Sequence, residues 1–468
     1  MKISGNRFVL SLPIGILFFL ASIDFIFLLG VGENTDAIFT SEFQSPSEED
    51  SRRFSAAILK ARVQSVVYLF TIVLSVVYAK QIGRYFLKAP HLLLIFAYLL
   101  FGLAYSVSPI KVGTNTFIII ISFIAGILFC MHRNRTSYHD LYMIFLVPLL
   151  VIHTISIAYL MQLQISAIDL ITSELRYGGW VGNPNTYGIT CVIGYWAASS
   201  SLISKEGGTF TRALAAYGIP LFVVGAFLSG STTTAVIFLI VTATLLWMST
   251  IARMKPNSRA IVTIVGIVLV LIASLFILIQ FSPKELLFVS TESAGKDTTL
   301  TGRTDLWQIA VEAIKNRPWF GWGFDSHISV KTNFEFDIKN NHYHNGFLDT
   351  TIAGGLSLLF IAMYNLAKFT RYWSRAFSVN SQVYPLLVPF VILIINNISE
   401  YSLMRPNSQL WLVYTTTFVV LSFTQKVGSK NRTASSGKRR TSEDSNSGTR
   451  KRRSGRVKRR RKRSRNKI

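Results

Sequence analysis

Long apolar runs separated by short polar connections recur from one end of the chain to the other. A helix needs about 20 apolar residues to cross the ~30 Å hydrocarbon layer of a bilayer. Runs near that length stand at 9–30, 63–79, 91–107, 114–131, 141–160, 186–203, 212–228, 232–250, 260–281, 347–367, 383–398 and 408–424. The pattern predicts an all-α integral membrane protein of about twelve transmembrane helices. The first run follows Lys2 and Arg7, is long enough to span and ends without a small-residue cleavage site, so it reads as a retained signal anchor.

The longest connection, 282–346, separates the ninth and tenth spans. Inside it, TDLWQIAVEAIKNRP predicts a short amphipathic helix: Asp305 and Gln308 resemble a capping pair, and Pro318 supplies the stop. Leu306, Ile309, Ala310, Ala313 and Ile314 share one face at helical spacing. With Trp307, Trp319 and Trp322 flanking it, such a helix suits the membrane surface, indoles at headgroup depth. The Gly321–Gly323 stretch then breaks into a turn.

Composition agrees with lipid as the main solvent: the 468 residues are 50% hydrophobic and only 15% charged, against about one quarter charged in soluble chains. Charge is uneven. Residues 430–468 hold eighteen Lys and Arg against two acids, most of the net +25. That tail lacks aromatics and predicts disorder. Its place directly after the last span favours topology control and contact with anionic lipid over nucleic-acid binding. Cys130 and Cys191 fall inside apolar runs, which argues against a disulfide framework.

Basic linkers orient the chain. With the N-terminus inside, Lys80/Arg84/Lys88, Arg133/Arg135, Arg253/Lys255/Arg259, Lys368/Arg371/Arg375 and the tail all face the cytoplasm. The opposite face receives 31–50, with six acids and no Lys or Arg, then 161–185 and 282–346. The expected organisation is a membrane domain of about nine spans over 1–281, an extracytoplasmic loop with an amphipathic helix over 282–346, a membrane domain of about three spans over 347–424, and a disordered basic cytoplasmic tail over 425–468. The expected protein is thus a multi-pass one of the cell inner (cytoplasmic) membrane with both termini cytoplasmic.

Residues with chemistry to offer concentrate on the outer side. Arg303, after Gly302 at the start of the loop helix, is placed where backbone N–H groups and a guanidinium can share a phosphate or diphosphate; a solvated loop arginine is the plain alternative. Arg176 in LRYGGWVGNPN has the same two readings. Asn185 belongs to a Gly-Asn-Pro-Asn turn that suits either a simple turn or the polar wall of a site at membrane depth. His342 and His344 in NNHYHNGFLD precede a span; an imidazole with a pKa near ~6.5 suits removal of a sugar-hydroxyl proton. A metal pair and a structural pair are the other readings, and no carboxylate or cysteine stands at a familiar zinc spacing beside them. Arg317, next to Pro318, reads as a headgroup-directed side chain. Asp24 and His153 lie within spans, where a functional and a packed, hydrogen-bonded role are equally open.

Three segments together, GRTDLWQIAVEAIKNRPWFGWGFDSH, HYHNGFLDTTIAGGLSLL and, upstream, GNPNTYG, resemble the O-antigen ligase and Wzy-type polysaccharide polymerase superfamily. The resemblance covers the span layout and the outer loop. It implies a GT-C type glycosyltransferase that moves a glycan from an undecaprenyl diphosphate carrier to an acceptor glycan, with no cofactor and no metal. It further implies a diphosphate-binding role for Arg303 in its Gly-Arg-x-x-x-Trp setting, and a base or acceptor-orienting role for His344 beside Asn345. Trp307 and His342 adjoin these residues as substrate-binding candidates, with Arg176 and Asn185. The expected partners are the lipid-linked oligosaccharide, an acceptor glycan, a flippase and a chain-length protein, and no nucleic acid. One departure stands out: many members carry an arginine in the turn between the seventh and eighth spans, which here reads LSGSTTTAV, with Thr232 or Thr233 in its place. A second cation would then come from Arg176, Arg405 or Lys111.

A polysaccharide or lipid flippase, or a secondary transporter, is the alternative class. Transporters place ionisable groups near the bilayer midplane. This chain is poor in them and gathers polar groups in an outer loop, which favours the enzyme.

Overall fold

The computed structural model describes residues 5–22, 46–132 except 88 and 107, 138–162, 176–204, 206–254, 303–324, 342–406 and 408–423, with isolated positions at 258 and 262; the side chains of 5–10, 22, 46–58, 132 and 303–305 are not described. The expected span 260–281, Asp24, most of the 282–346 connection and the 425–468 tail therefore lie outside the described residues.

Among the described residues the fold is all helical. The helices are α1 (Gly5–Ser22), α2 (Pro46–Val77), α3 (Ala79–Phe86), α4 (Pro90–Phe101), α5 (Pro109–His132), α6 (His139–Gln162), α7 (Pro184–Ser204), α8 (Thr209–Leu228), α9 (Thr232–Arg253), α10 (Arg303–Asn316), α11 (Gly346–Val379), α12 (Val388–Ser399) and α13 (Gln409–Phe423). Seven helices are long and apolar enough to cross a membrane, or eight if the bent pair α3–α4 is one span. The protein is thus multi-pass, and the described helices do not reach the expected count of twelve. Part of the difference is local. α3 and α4 meet at 96°, with α4 running on into a 3-10 turn to Ala104, so the 91–107 run is half of a broken element. The apolar parts of α1 and α13 that are described are Ser11–Ala21 and Gln409–Phe423, and the expected span 260–281 lies outside the described residues.

α7 is not among the seven, because it is built to face protein rather than lipid. Its Gly, Ala, Ser and Thr positions let neighbours approach, as small residues do between membrane helices. It packs on α8 and α6, Gly194 lies against the Phe222 ring and Gly188 against Thr234. Trp196 is fully buried, its indole N–H donating to Pro385 O at 2.8 Å. His153, on α6, packs there with its imidazole 3.1 Å from Thr190 Oγ1 and 3.5 Å from Cys191 Sγ, the packed and hydrogen-bonded reading. Cys130 and Cys191 are free and buried.

α11 does not run straight. Gly354 and Gly355 leave helical geometry, Gly355 at φ +64°, and the backbone groups this frees are taken by the loop after α10. Trp322 N–H donates to Ile352 O (2.8 Å), Gly323 N–H to Ala353 O (2.9 Å) and Leu356 N–H to Pro318 O (2.7 Å). Tyr98 of α4 donates to Gly354 O at 2.6 Å. Broken backbone at membrane depth persists only where such partners exist. The Gly-Trp-Gly turn is therefore a docking element, held in shape by Gly321 and Gly323 at φ +67° and +101°.

This docking brings α10 onto the first half of α11. Ala310, Ala313, Trp322, Tyr343 and Ile352 form a small separate core, with Leu306, Ile309, Ile314 and Leu348 packed on it. The apolar face expected to rest on lipid rests on protein. Trp322 is buried and donates to Ala313 O at 2.9 Å, under the Arg317 guanidinium at 4.3 Å; Trp319 remains exposed. α10 also begins at Arg303, so Asp305 stands inside its first turn rather than at its cap.

Candidate active site

Four connections meet at one end of the bundle: 176–183 before α7, 229–231 between α8 and α9, 342–345 before α11, and 400–406 after α12. Tyr177 N–H donates to Leu228 O (3.0 Å), and Gly346 N–H to Glu400 O (3.0 Å). The turn after α12 is shaped by two asparagines. Asn397 Oδ1 accepts from the N–H groups of Ser402 (3.0 Å) and Leu403 (2.8 Å), and Asn396 donates to Ser402 Oγ (2.8 Å). Gly346 lies so close to Asn397 that a Cβ there would overlap the amide.

A continuous line of polar side chains crosses this end. Arg176 donates through Nε to Ser229 O at 3.4 Å and through Nη2 to Asn185 Oδ1. Asn185 Nδ2 donates to Glu400 Oε1 at 3.2 Å, and Glu400 Oε2 lies 3.3 Å from His344 Nδ1. His344 N–H donates to His342 Nδ1 at 3.1 Å, with the two rings 4.1 Å apart. The side chains of His344 and Glu400 are 23% and 16% exposed, enough for a ligand to reach and too little for water to screen them fully.

The backbone is strained at the same place. Among the described residues the non-glycine positions with positive φ are His344 (+50°) and Met404 (+55°), one in each of the turns that carry the His–Glu pair. Such conformations cost on the order of 1–3 kcal/mol and cluster at functional sites.

Arg176, Asn185, His342 and His344 are thus brought together. Asn345 performs a local task, its Oδ1 capping α11 by accepting from the Phe347 and Leu348 N–H groups at 3.1 Å. Trp307 turns inward and donates to Tyr343 O at 3.0 Å. Arg303 is the first residue of α10, and its side chain is not described. The turn where the resembling family carries an arginine is the one Arg176 leans on, since a Cβ on Gly230 would meet Arg176 Cγ at 3.1 Å. Arg405 donates to Tyr401 O at 3.2 Å, one residue from Glu400.

Two carboxylates were not singled out from the sequence. Glu400 is a lone acid in the short connection before the last apolar run. Asp349 stands inside the 347–367 run, where an ionisable residue in an apolar stretch was the available signal. Asp349 is 1% exposed and accepts the Tyr343 N–H on both oxygens at 3.3 Å.

His342, His344 and Glu400 have donor atoms within 4.8 Å of one another. Ligands about 2.1 Å from a tetrahedral zinc sit roughly 3.4 Å apart, and both Nδ1 atoms already face protein partners here. A hydrogen-bonded His–Glu pair describes the arrangement better than a metal centre. Such a pair can hold an imidazole in one tautomer and orientation while its other nitrogen exchanges a proton with a bound hydroxyl.

Fold and site together define a class: a multi-spanning helical membrane protein with a histidine–carboxylate pair and an arginine gathered at one end of its bundle. The O-antigen ligase family model matches residues 217–363, from α8 through the first half of α11, including α10, His342 and His344. The chain is also 26% identical over 212 residues to the exopolysaccharide production protein ExoQ of Rhizobium meliloti (strain 1021), covering 43% of this chain and 48% of that protein. The match thus spans about half the length of that relative. These two findings support the O-antigen ligase/Wzy-type family for this chain.

Proposed function

We propose that the protein is a glycosyltransferase of the outer face of the cytoplasmic membrane, which transfers or polymerises an undecaprenyl-diphosphate-linked oligosaccharide into surface polysaccharide. The observation that carries this reading is the His344–Glu400 pair, joined through Asn185 to Arg176. A membrane enzyme working away from the cytoplasm has no ATP or nucleotide sugar, so its donor arrives lipid-borne and already activated. The acceptor hydroxyl attacks the anomeric carbon of the donor sugar, and the bond from that carbon to the diphosphate oxygen breaks. Its electron pair leaves with the polyprenyl diphosphate, and the hydroxyl proton passes to His344. Arg176 and Arg303 are the cations assigned to the diphosphate, because guanidinium forks pair with phosphate oxygens as charge develops on them.

We favour polymerase over ligase, in keeping with the exopolysaccharide production for which the Rhizobium relative is named. Deleting the gene and sizing the polysaccharide separates the two. A polymerase deletion leaves single repeat units, whereas a ligase deletion leaves long chains on the lipid carrier. Unchanged polysaccharide in the deletion strain refutes both.

A further inference from the structure

His344 holds a left-handed backbone conformation, and two groups outside the polar line hold the peptide that precedes it. The Tyr343 N–H faces the buried Asp349 carboxylate, 3.3 Å from each oxygen, and the Tyr343 carbonyl accepts from Trp307 Nε1 at 3.0 Å. The Tyr343 ring is fully buried in the small core beneath α10, with burial pushing its phenol well above the ordinary range, so it sits there neutral. The Asp349 N–H donates in turn to Asn345 O at 2.9 Å, so backbone and side chain of this one residue both hold the turn. Arg405 and Glu400 belong to the turn after α12, whose backbone is tied to Gly346 at the start of α11. One side chain thus fixes the backbone ahead of His344, at the start of the helix to which the turn carrying Glu400 is tied.

We propose that Asp349 is a positioning residue for His344: from beneath the site it fixes the His342–His344 turn so that the imidazole meets Glu400. This rests on the reading of His344 as the proton acceptor. Asp349 touches no reacting group. It replaces the water that would otherwise satisfy the Tyr343 amide, and a carboxylate with two oxygens does this without a preferred rotamer for either.

The experiment compares Asp349→Ala and Asp349→Asn in the full-length protein in nanodiscs, with His344→Ala as control. It measures kcat and donor KM with a synthetic polyprenyl-diphosphate oligosaccharide, and amide hydrogen exchange across 342–348. Asp349→Asn keeps an oxygen facing the Tyr343 amide, and its expected kcat is within about threefold of wild type. Asp349→Ala is expected to expose that amide, speeding its exchange at least tenfold, and to lower kcat at least tenfold with donor KM little changed. Wild-type kcat in Asp349→Ala with accelerated exchange overturns the proposal, as does an Asp349→Asn variant as inactive as alanine. If Asp349→Ala fails to reach the membrane, Asp349→Ser takes its place, since its hydroxyl falls short of the amide. A fully active His344→Ala instead overturns the underlying assignment of His344.

Discussion

Replacing Glu400 with alanine removes both oxygens that join the two halves of the polar line. One lies 3.3 Å from His344 Nδ1, and the other accepts from Asn185 Nδ2 at 3.2 Å. Hydrogen bonds to charged groups contribute about 1.5–3 kcal/mol each, and these groups are partly exposed. The expected local destabilisation is therefore on the order of 2–3 kcal/mol, small beside a bundle whose main core draws buried residues from every described helix except α10. The chemical cost is larger. A correctly placed general base contributes about 10²–10⁴-fold, or roughly 2.7–5.4 kcal/mol of barrier at 1.36 kcal/mol per decade. Glu400→Ala is expected to reach the membrane at wild-type level and to lose at least ~10²-fold in transfer rate. Glu400→Gln keeps an oxygen for Asn185 but presents an uncharged amide to the imidazole, and should fall between the two. The assay is complementation of a deletion strain, with the polysaccharide resolved by size and the tagged protein quantified in membranes. Glu400→Ala at normal abundance, making chains of normal length at near-normal rate, would refute the His–Glu pairing as a working unit.

Gly355→Ala places a Cβ on the Trp319 carbonyl and the Phe320 nitrogen, at a φ of +64° that itself costs alanine about 1–2 kcal/mol. It should undock the 318–323 loop, raise protease sensitivity between α10 and α11, and lower product at least tenfold; a fully active, protease-resistant variant would contradict the docking account. Chelation with EDTA should leave transfer by the purified protein unchanged. Loss of activity restored by zinc or manganese would instead make His342, His344 and Glu400 a metal site. Alkaline phosphatase fused at Lys331 should be active and at Ser435 inactive, and the reverse pattern would invert the orientation.

The helices were legible in the sequence because lipid exposure writes itself as uninterrupted apolar runs, and α5, α6, α8 and α9 appear where those runs stand. Hydropathy carries no direction, so α4 and α11 were each read as a plain span, without the 96° bend where α4 meets α3 or the glycine break inside α11. Amphipathic spacing in α10 announced an apolar face but not its partner, which is Tyr343, Ile352 and Leu348 rather than lipid. His344 was legible through its His-Asn pair and the family resemblance. Glu400 was not, because a single acid in a short connection has no spacing to give it away, and only the fold brings it within 3.3 Å of an imidazole 56 residues earlier. Arg176 was one of three residues offered to replace the missing arginine, and its hydrogen bond to Ser229 O shows it lying against the turn in question.

The central claim is that His344, held by Glu400, accepts the proton of a sugar hydroxyl as a lipid-linked glycan is transferred. Purified protein in nanodiscs, given a synthetic polyprenyl-diphosphate repeat unit and no nucleotide, tests it directly by mass spectrometry of the products. The account predicts extended glycan and free polyprenyl diphosphate in equal amounts with wild type, and neither with His344→Ala. Transfer at the wild-type rate by His344→Ala would contradict it.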